Sequence, residues 1–295
     1  MKESFRAWNP KGATVLYVAQ VIKIIEAYAK QGYRLTLRQL YYQLVAGGIT
    51  PNKPQEYAKL SDILTRARMA GLVDWGAIED RVRVPKMHSE WDDIAALVDS
   101  ACASYRLPRW QDQDNYIELW TEKDAIAGIL KPITDKYHIT LIVNRGYSSA
   151  TAMYDAAKRL KAAEDDGKDC VILYLGDHDP SGLDMDRDIQ DRLGEFGATL
   201  TYLRIGLTWA QIQQYNPPPN PAKISDPRAN NYIELYGESS WEVDSLPPNI
   251  LHQLVENAIL GYLNIGKYNA WIEKENKDTV ALREAATDIL NDDDE

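Results

Sequence analysis

The chain has few of the residues that staple or anchor a fold from outside. Its 295 residues include two cysteines, Cys102 and Cys170, both in apolar or helical contexts. Two such thiols read as buried and reduced, which argues against a disulfide framework or a structural zinc set. No run of about 18 apolar residues is present to cross a bilayer, and the opening M-K-E-S-F-R-A-W lacks a signal-peptide pattern. The expectation is a cytoplasmic protein with no membrane partner. Internal repeats and long low-complexity tracts are also missing. What is present is 45% hydrophobic residues in a chain long enough for two domains.

Positive charge is scarce overall, with a formal net charge of −11, but it is unevenly spread. Residues 1–90 hold 14 Lys and Arg against 8 Asp and Glu, which leaves 19 basic and 36 acidic residues for the rest. The N-terminal third is therefore a candidate polyanion-binding module, and the remainder contains the acids that a metal site needs.

Within that basic third, helical spacing of Val15, Val18, Ile22, Ile25 and Tyr28 predicts a helix over 12–31. Thr36 can cap a second helix, L-R-Q-L-Y-Y-Q-L-V-A, whose apolar stripe takes Tyr41 inward. Tyr42 lies about 100° further round, on the face of Arg38, and is the tyrosine left free for a ligand. A third helix over 55–70 presents Lys59, Arg66 and Arg68 outward, and Arg81 and Arg83 alternate with Val82 and Val84 as a basic β-wing would. Three helices and a wing predict a winged-helix (CAP-like) DNA-binding domain over 1–105. The alternative is a small helical packing domain without a ligand, and the basic excess favours DNA. A helix over 88–104 is expected to bury Trp91, Ile94, Leu97, Val98 and Ala101.

From residue 106 the pattern changes to strands alternating with helices, which predicts an α/β domain with a parallel sheet over 106–295. Its centre is V-I-L-Y-L-G-D-H-D-P-S-G, residues 171–182: five apolar residues reading as a strand buried on both faces, followed by a loop. In that loop Asp177 and Asp179 project to the same side if the backbone stays extended. Glu122 stands at an earlier strand end, so all three can meet at one sheet edge and share Mg²⁺, with Mn²⁺ as substitute. By spacing alone, turn formation or helix capping explains these acids equally well. His178 points the other way and reads as a packing or surface residue. Asp184 and Asp186 decorate a helix start or act behind the site. Lys123 and Arg145 hold phosphate or are solvated charges. His88, His138 and His252 have no partner spacing. No chemistry is visible in the C-terminal third beyond its helices.

Taken together, L-R-Q-L-Y-Y, T-E-K, N-R-G-Y-S-S and G-D-H-D-P-S-G, within residues 36–260, resemble the motifs of the topoisomerase VI A subunit and its meiotic double-strand-break relatives. That resemblance implies a winged-helix domain followed by a Toprim (Rossmann-like) domain with a helical C-terminal extension. It implies Tyr42 as nucleophile, Arg38 as its helper, Glu122, Asp177 and Asp179 on Mg²⁺, and Glu122 as metal ligand or general acid/base. It further implies duplex DNA as substrate, a nucleoid-associated location and a homodimer in which the tyrosine of one subunit works with the metal of the other. The leader before the tyrosine helix is shorter than in those A subunits, where it engages an ATPase B subunit, so a stand-alone A-like protein is expected. Two other readings stand beside this one: a Toprim nuclease that uses metal-activated water, and a non-catalytic DNA-binding dimer.

Overall fold

The computed structural model describes residues 2–78, 88–144, 148–222 and 226–292. Arg81 and Arg83, the expected wing, and Arg145 lie outside the described residues.

The N-terminal helices form where their spacing predicts them: α1 at Ala13–Ala29, α2 at Leu37–Ala46 and α3 at Pro54–Met69. Thr36 caps α2 in a reciprocal box, its backbone N–H donating to Gln39 Oε1 at 2.9 Å while the Gln39 N–H donates to Thr36 Oγ1 at 3.3 Å. The three helices enclose one apolar cluster containing Val21, Leu40, Leu44, Leu60 and Leu64. A fourth helix, α4 at Ile94–Ser104, packs against the C-terminal helix, and Cys102 is its one residue classed as buried. Trp91, Ile94, Leu97 and Ala101 are exposed and Val98 is half-buried, contrary to the expectation from their spacing. Among the described residues the C-terminal helix is the main neighbour of α4, so much of its apolar surface is left uncovered.

The remainder is a mixed α/β unit. Strands β1 (Asn115–Thr121), β2 (Thr140–Val143), β3 (Asp169–Leu175) and β4 (Thr201–Gly206) form a parallel sheet in the order β2-β1-β3-β4. Between them run α5 (Ala127–Tyr137), α6 (Ala150–Asp165) and α7 (Pro180–Glu195). Alternation along β3 divides the core in two. Val171, Leu173 and Leu175 meet α5 and a later helix at Pro248–Leu260, whereas Cys170, Ile172 and Tyr174 meet α6 and α7. Both thiols are free and buried, as expected.

After β4 come α8 (Trp209–Tyr215), α9 (Ala229–Tyr236), α10 (Pro248–Leu260) and α11 (Ile265–Asp292), with a two-stranded antiparallel pair of β5 (Asn220–Pro221) and β6 (Ser239–Ser240). The stretch just past β6 has a functional consequence. His178 and Trp241 exchange both backbone hydrogen bonds, at 2.8 and 3.0 Å, which stitches the loop after β3 to the C-terminal segment. A single turn at Val243–Ser245 then lies against α2. No helix among the described residues is long and apolar enough to cross a membrane.

Candidate active site

Strand register brings the first two acids together. Thr121 at the end of β1 stands opposite Leu175 at the end of β3. One or two residues further on, Glu122 Oε1 accepts the backbone N–H of Asp177. Asp179 caps α7, its Oδ1 accepting from the Gly182 N–H at 2.6 Å and from the Ser181 hydroxyl at 3.0 Å. Gly182 is needed there, because a Cβ would fall 2.4 Å from the Asp177 carbonyl oxygen. The expected convergence is thus met at Glu122 and Asp177, while Asp179 has the capping role that its position after a strand also allowed.

Each Asp177 oxygen already has a partner. Oδ1 accepts from the Val243 N–H at 2.9 Å, and Oδ2 lies 2.6 Å from Lys123 Nζ. Burial, with Glu122 adding, pushes the Asp177 carboxyl up to about 7 against the pull of Lys123. Burial likewise raises Glu122. The Lys123 ammonium also lies 3.4 Å from Glu242 Oε2, and Glu242 is ion-paired with Arg38. Arg38 Nε approaches Asp244 Oδ2 at 2.9 Å. A continuous network therefore runs from Glu122 and Asp177 through Lys123 and Glu242 to Arg38 and Asp244.

Tyr42 sits at the end of this network. The Arg38 guanidinium carbon lies 5.8 Å from its ring centre, and the Asn220 amide approaches its hydroxyl at 3.5 Å. Tyr42 is not free, as its helix face suggests, but only 4% exposed, beside Tyr41 at 5%. The cause is tertiary. Tyr41 turns to the 51–53 segment, where its hydroxyl accepts the Lys53 N–H at 2.8 Å, and the face of α2 carrying Arg38 and Tyr42 is covered by the Val243–Ser245 turn. Burial raises the Tyr42 hydroxyl and Asp244 adds to the rise, while Arg38, Asn220 and Lys123 oppose it.

Sequence reasoning did not single out Glu242, Asp244, Asn220 or Arg204. Arg204 on β4 holds the loop after β3: Nη1 donates to the Gly176, Asp177 and Leu207 carbonyls at 3.0, 3.3 and 3.1 Å, and Nη2 to Gly182 at 2.7 Å. Asp186 Oδ2 accepts from Arg204 Nε at 2.7 Å, so this acid acts behind the site rather than decorating a helix start. His178 is buried among Trp209, Tyr232, Tyr236 and Trp241, which is the packing role. Among the basic candidates, Lys59 and Arg66 are exposed and paired within α3 to Glu56 and Asp62. Arg68 lies over the Trp75 ring at 4.5 Å and donates to the Trp75 carbonyl.

Glu122, Asp177 and Asp179 are hard oxygen donors, which suits Mg²⁺ in kind. Their arrangement does not fit it: Lys123 occupies Oδ2 of Asp177, and no group of three or more His, Cys, Asp or Glu among the described residues is arranged to hold a metal ion. Fold and site together define a mixed α/β protein with a partly buried ionic network joining a helical tyrosine to the carboxyl edge of a parallel sheet. No family model, curated protein or solved structure matches the chain.

Proposed function

We propose that the chain is a DNA transesterase of topoisomerase VI A type, built as a winged-helix domain and a Toprim domain, with Tyr42 as nucleophile. The observation that supports this best is the ionic network linking Tyr42 and Arg38 on α2 to Glu122 and Asp177 at the sheet edge. In the proposed reaction Tyr42 Oη attacks a phosphodiester phosphorus and loses its proton. The P–O3′ bond breaks, the 3′-oxygen takes up a proton, and the 5′-phosphate stays on the tyrosine. Reversal rejoins the strand. Ionising a tyrosine of pKa near 10 at pH 7 costs about 4 kcal/mol, and burial of Tyr42 adds to that cost in this arrangement. Arg38 and Lys123 are the groups that offset it and that balance charge on the pentacoordinate phosphorus.

Duplex DNA has to reach a buried hydroxyl, so the Arg38 pairs with Glu242 and Asp244 part before cleavage. Mg²⁺ is the cofactor that the resemblance implies, but with Lys123 on Asp177 the described arrangement does not fit it, and no step of the proposed reaction is routed through it. A homodimer supplies the second tyrosine that a double-strand break needs. Lys59 and Arg66 are the described candidates for phosphate contact.

The burial of Tyr42 favours a second reading, a metal-dependent nuclease in which water attacks and the tyrosine only packs. Labelled supercoiled DNA incubated with Mg²⁺ or Mn²⁺, denatured and treated with protease separates the two. The first predicts a protein–DNA adduct that Tyr42→Phe abolishes. The second predicts free 5′-phosphate ends that survive in Tyr42→Phe and vanish in Asp177→Ala. Uncut DNA under every divalent ion would leave only a DNA-binding dimer.

A further inference from the structure

A proton donor and a proton acceptor without partners share one end of the ionic network. Asp244, in the turn that lies against α2, is fully buried, and neither of its oxygens has a hydrogen-bond donor among the described residues. Arg38 Nε approaches Oδ2 at 2.9 Å but is not aligned to donate. Such a carboxylate is costly to bury unless its lone pairs are used. Tyr42 has the complementary lack: the Asn220 amide approaches its hydroxyl oxygen at 3.5 Å, and none of the described residues accepts its O–H. Both side chains flank one guanidinium, whose carbon lies 5.8 Å from the Tyr42 ring centre. The charge of Asp244 reaches the tyrosine hydroxyl, which it helps to raise. The other charged groups facing the pair are Arg38 from α2 and Lys123 after β1, with Asp177 after β3 and Glu242 beside the turn.

We infer that Asp244 is the base for Tyr42, taking the hydroxyl proton as Oη attacks the phosphodiester and returning it when the strand is rejoined. The inference rests on the proposed tyrosine reaction. In cleavage the O–H bond breaks towards an Asp244 oxygen and leaves its electron pair on Oη for the bond to phosphorus. The P–O3′ bond breaks, and the 3′-oxygen takes a proton from water. Rejoining runs these steps backwards, with the Asp244 carboxylic acid protonating the departing tyrosine oxygen. Arg38 times the transfer. When the guanidinium leaves Asp244 for the phosphate, the buried carboxylate loses its counter-charge and binds a proton more tightly, at the step in which the tyrosine gives one up.

The test is the single-turnover rate of adduct formation by the full chain on labelled duplex DNA as pH is varied, with folding of each variant checked by circular dichroism. Asp244→Asn is expected to slow the adduct by about 10²–10⁴-fold near neutral pH. Hydroxide then has to take the proton, so the rate of this variant rises in proportion to hydroxide and its deficit shrinks as pH rises. Glu242→Gln strips Arg38 of its other carboxylate and is expected to keep the shape of the wild-type profile, because the base is intact. If the asparagine variant fails to fold, Asp244→Ala with added formate makes the comparison: the small carboxylate refills the gap and recovers rate that wild type does not gain, and absence of that rescue counts against the base. An Asp244→Asn rate equal to wild type, a deficit that is the same at every pH, or the same hydroxide dependence in Glu242→Gln overturns the inference and leaves Tyr42 as nucleophile. No adduct from the wild-type chain overturns the cleavage reading, and the inference with it.

Discussion

Arg38 is the residue whose replacement reports most directly on how the tyrosine helix is held. Asp244 is fully buried, and neither of its oxygens has a hydrogen-bond partner among the described residues. Its compensation is the Arg38 guanidinium at 2.9 Å, an ion pair without hydrogen-bond alignment. Removing one partner of a fully buried pair costs about 3–5 kcal/mol. The Arg38 side chain is 41% exposed, so water screens its end of the pair, and the expected cost of Arg38→Met falls to about 2 kcal/mol. For a chain of this size that is a drop in Tm of about 4–8 °C. Asp244→Asn removes the charge that is left stranded, so the double variant should recover most of the loss. Thermal unfolding followed by circular dichroism, run as a double-mutant cycle, measures the coupling. A coupling below about 0.5 kcal/mol means the two sites are independent, and α2 would then not be held on the Val243–Ser245 turn through this pair.

Three further expectations concern the loop after β3. The Asp177 carboxyl, raised to about 7, takes up a proton on folding, whereas His178, which burial holds down to about 4, releases one. Between those values Asp177 lowers stability as pH rises and His178 raises it. Asp177→Asn should therefore gain stability from about pH 4 to the unfolded histidine value of about 6.5, and His178→Phe should lose it towards pH 7. Urea titrations across that range that slope the same way in both variants would refute the assignment. Asp179→Ala removes the α7 cap and should cost about 1 kcal/mol, while Asp179→Ser keeps the cap and should cost little. A serine variant as stable as wild type but inactive in DNA cleavage would assign chemistry to the carboxylate. Gly182→Ala forces a Cβ onto the Asp177 carbonyl, for an expected loss of about 1–3 kcal/mol in urea-induced unfolding.

The elements of the fold were legible because each carries its own local signal. Thr36 and Gln39 make a capping box within four residues, and the apolar run from Val171 to Leu175 alternates between two cores that both need apolar partners. Glu122 and Asp177 were legible for a related reason: parallel register turns two strand ends into one edge. Burial of single helices was harder, because a periodic stripe states which face is apolar and not whether anything covers it. On α4, Ile94 and Leu97 share such a stripe and remain exposed.

Tyr42 and the C-terminal third failed together, and for one physical reason. The helix face carrying Arg38 and Tyr42 looks solvent-facing when α2 is considered with α1 and α3 alone, since charge on a helix face ordinarily means water. What covers it is a turn about 200 residues away in sequence, brought in by the two backbone hydrogen bonds between His178 and Trp241. Backbone hydrogen bonds have no side-chain signature, so nothing in W-E-V-D, residues 241–244, marks it as the cover of α2. Once His178 and Trp241 pair, Glu242, Val243 and Asp244 arrive at Lys123, Asp177 and Arg38 in that order, one residue apart. The loop that holds Asp177 therefore also recruits the acids that close over Tyr42. A change that loosens the His178–Trp241 stitch should expose Tyr42 and Asp177 together, which ties access to both side chains to a single structural event.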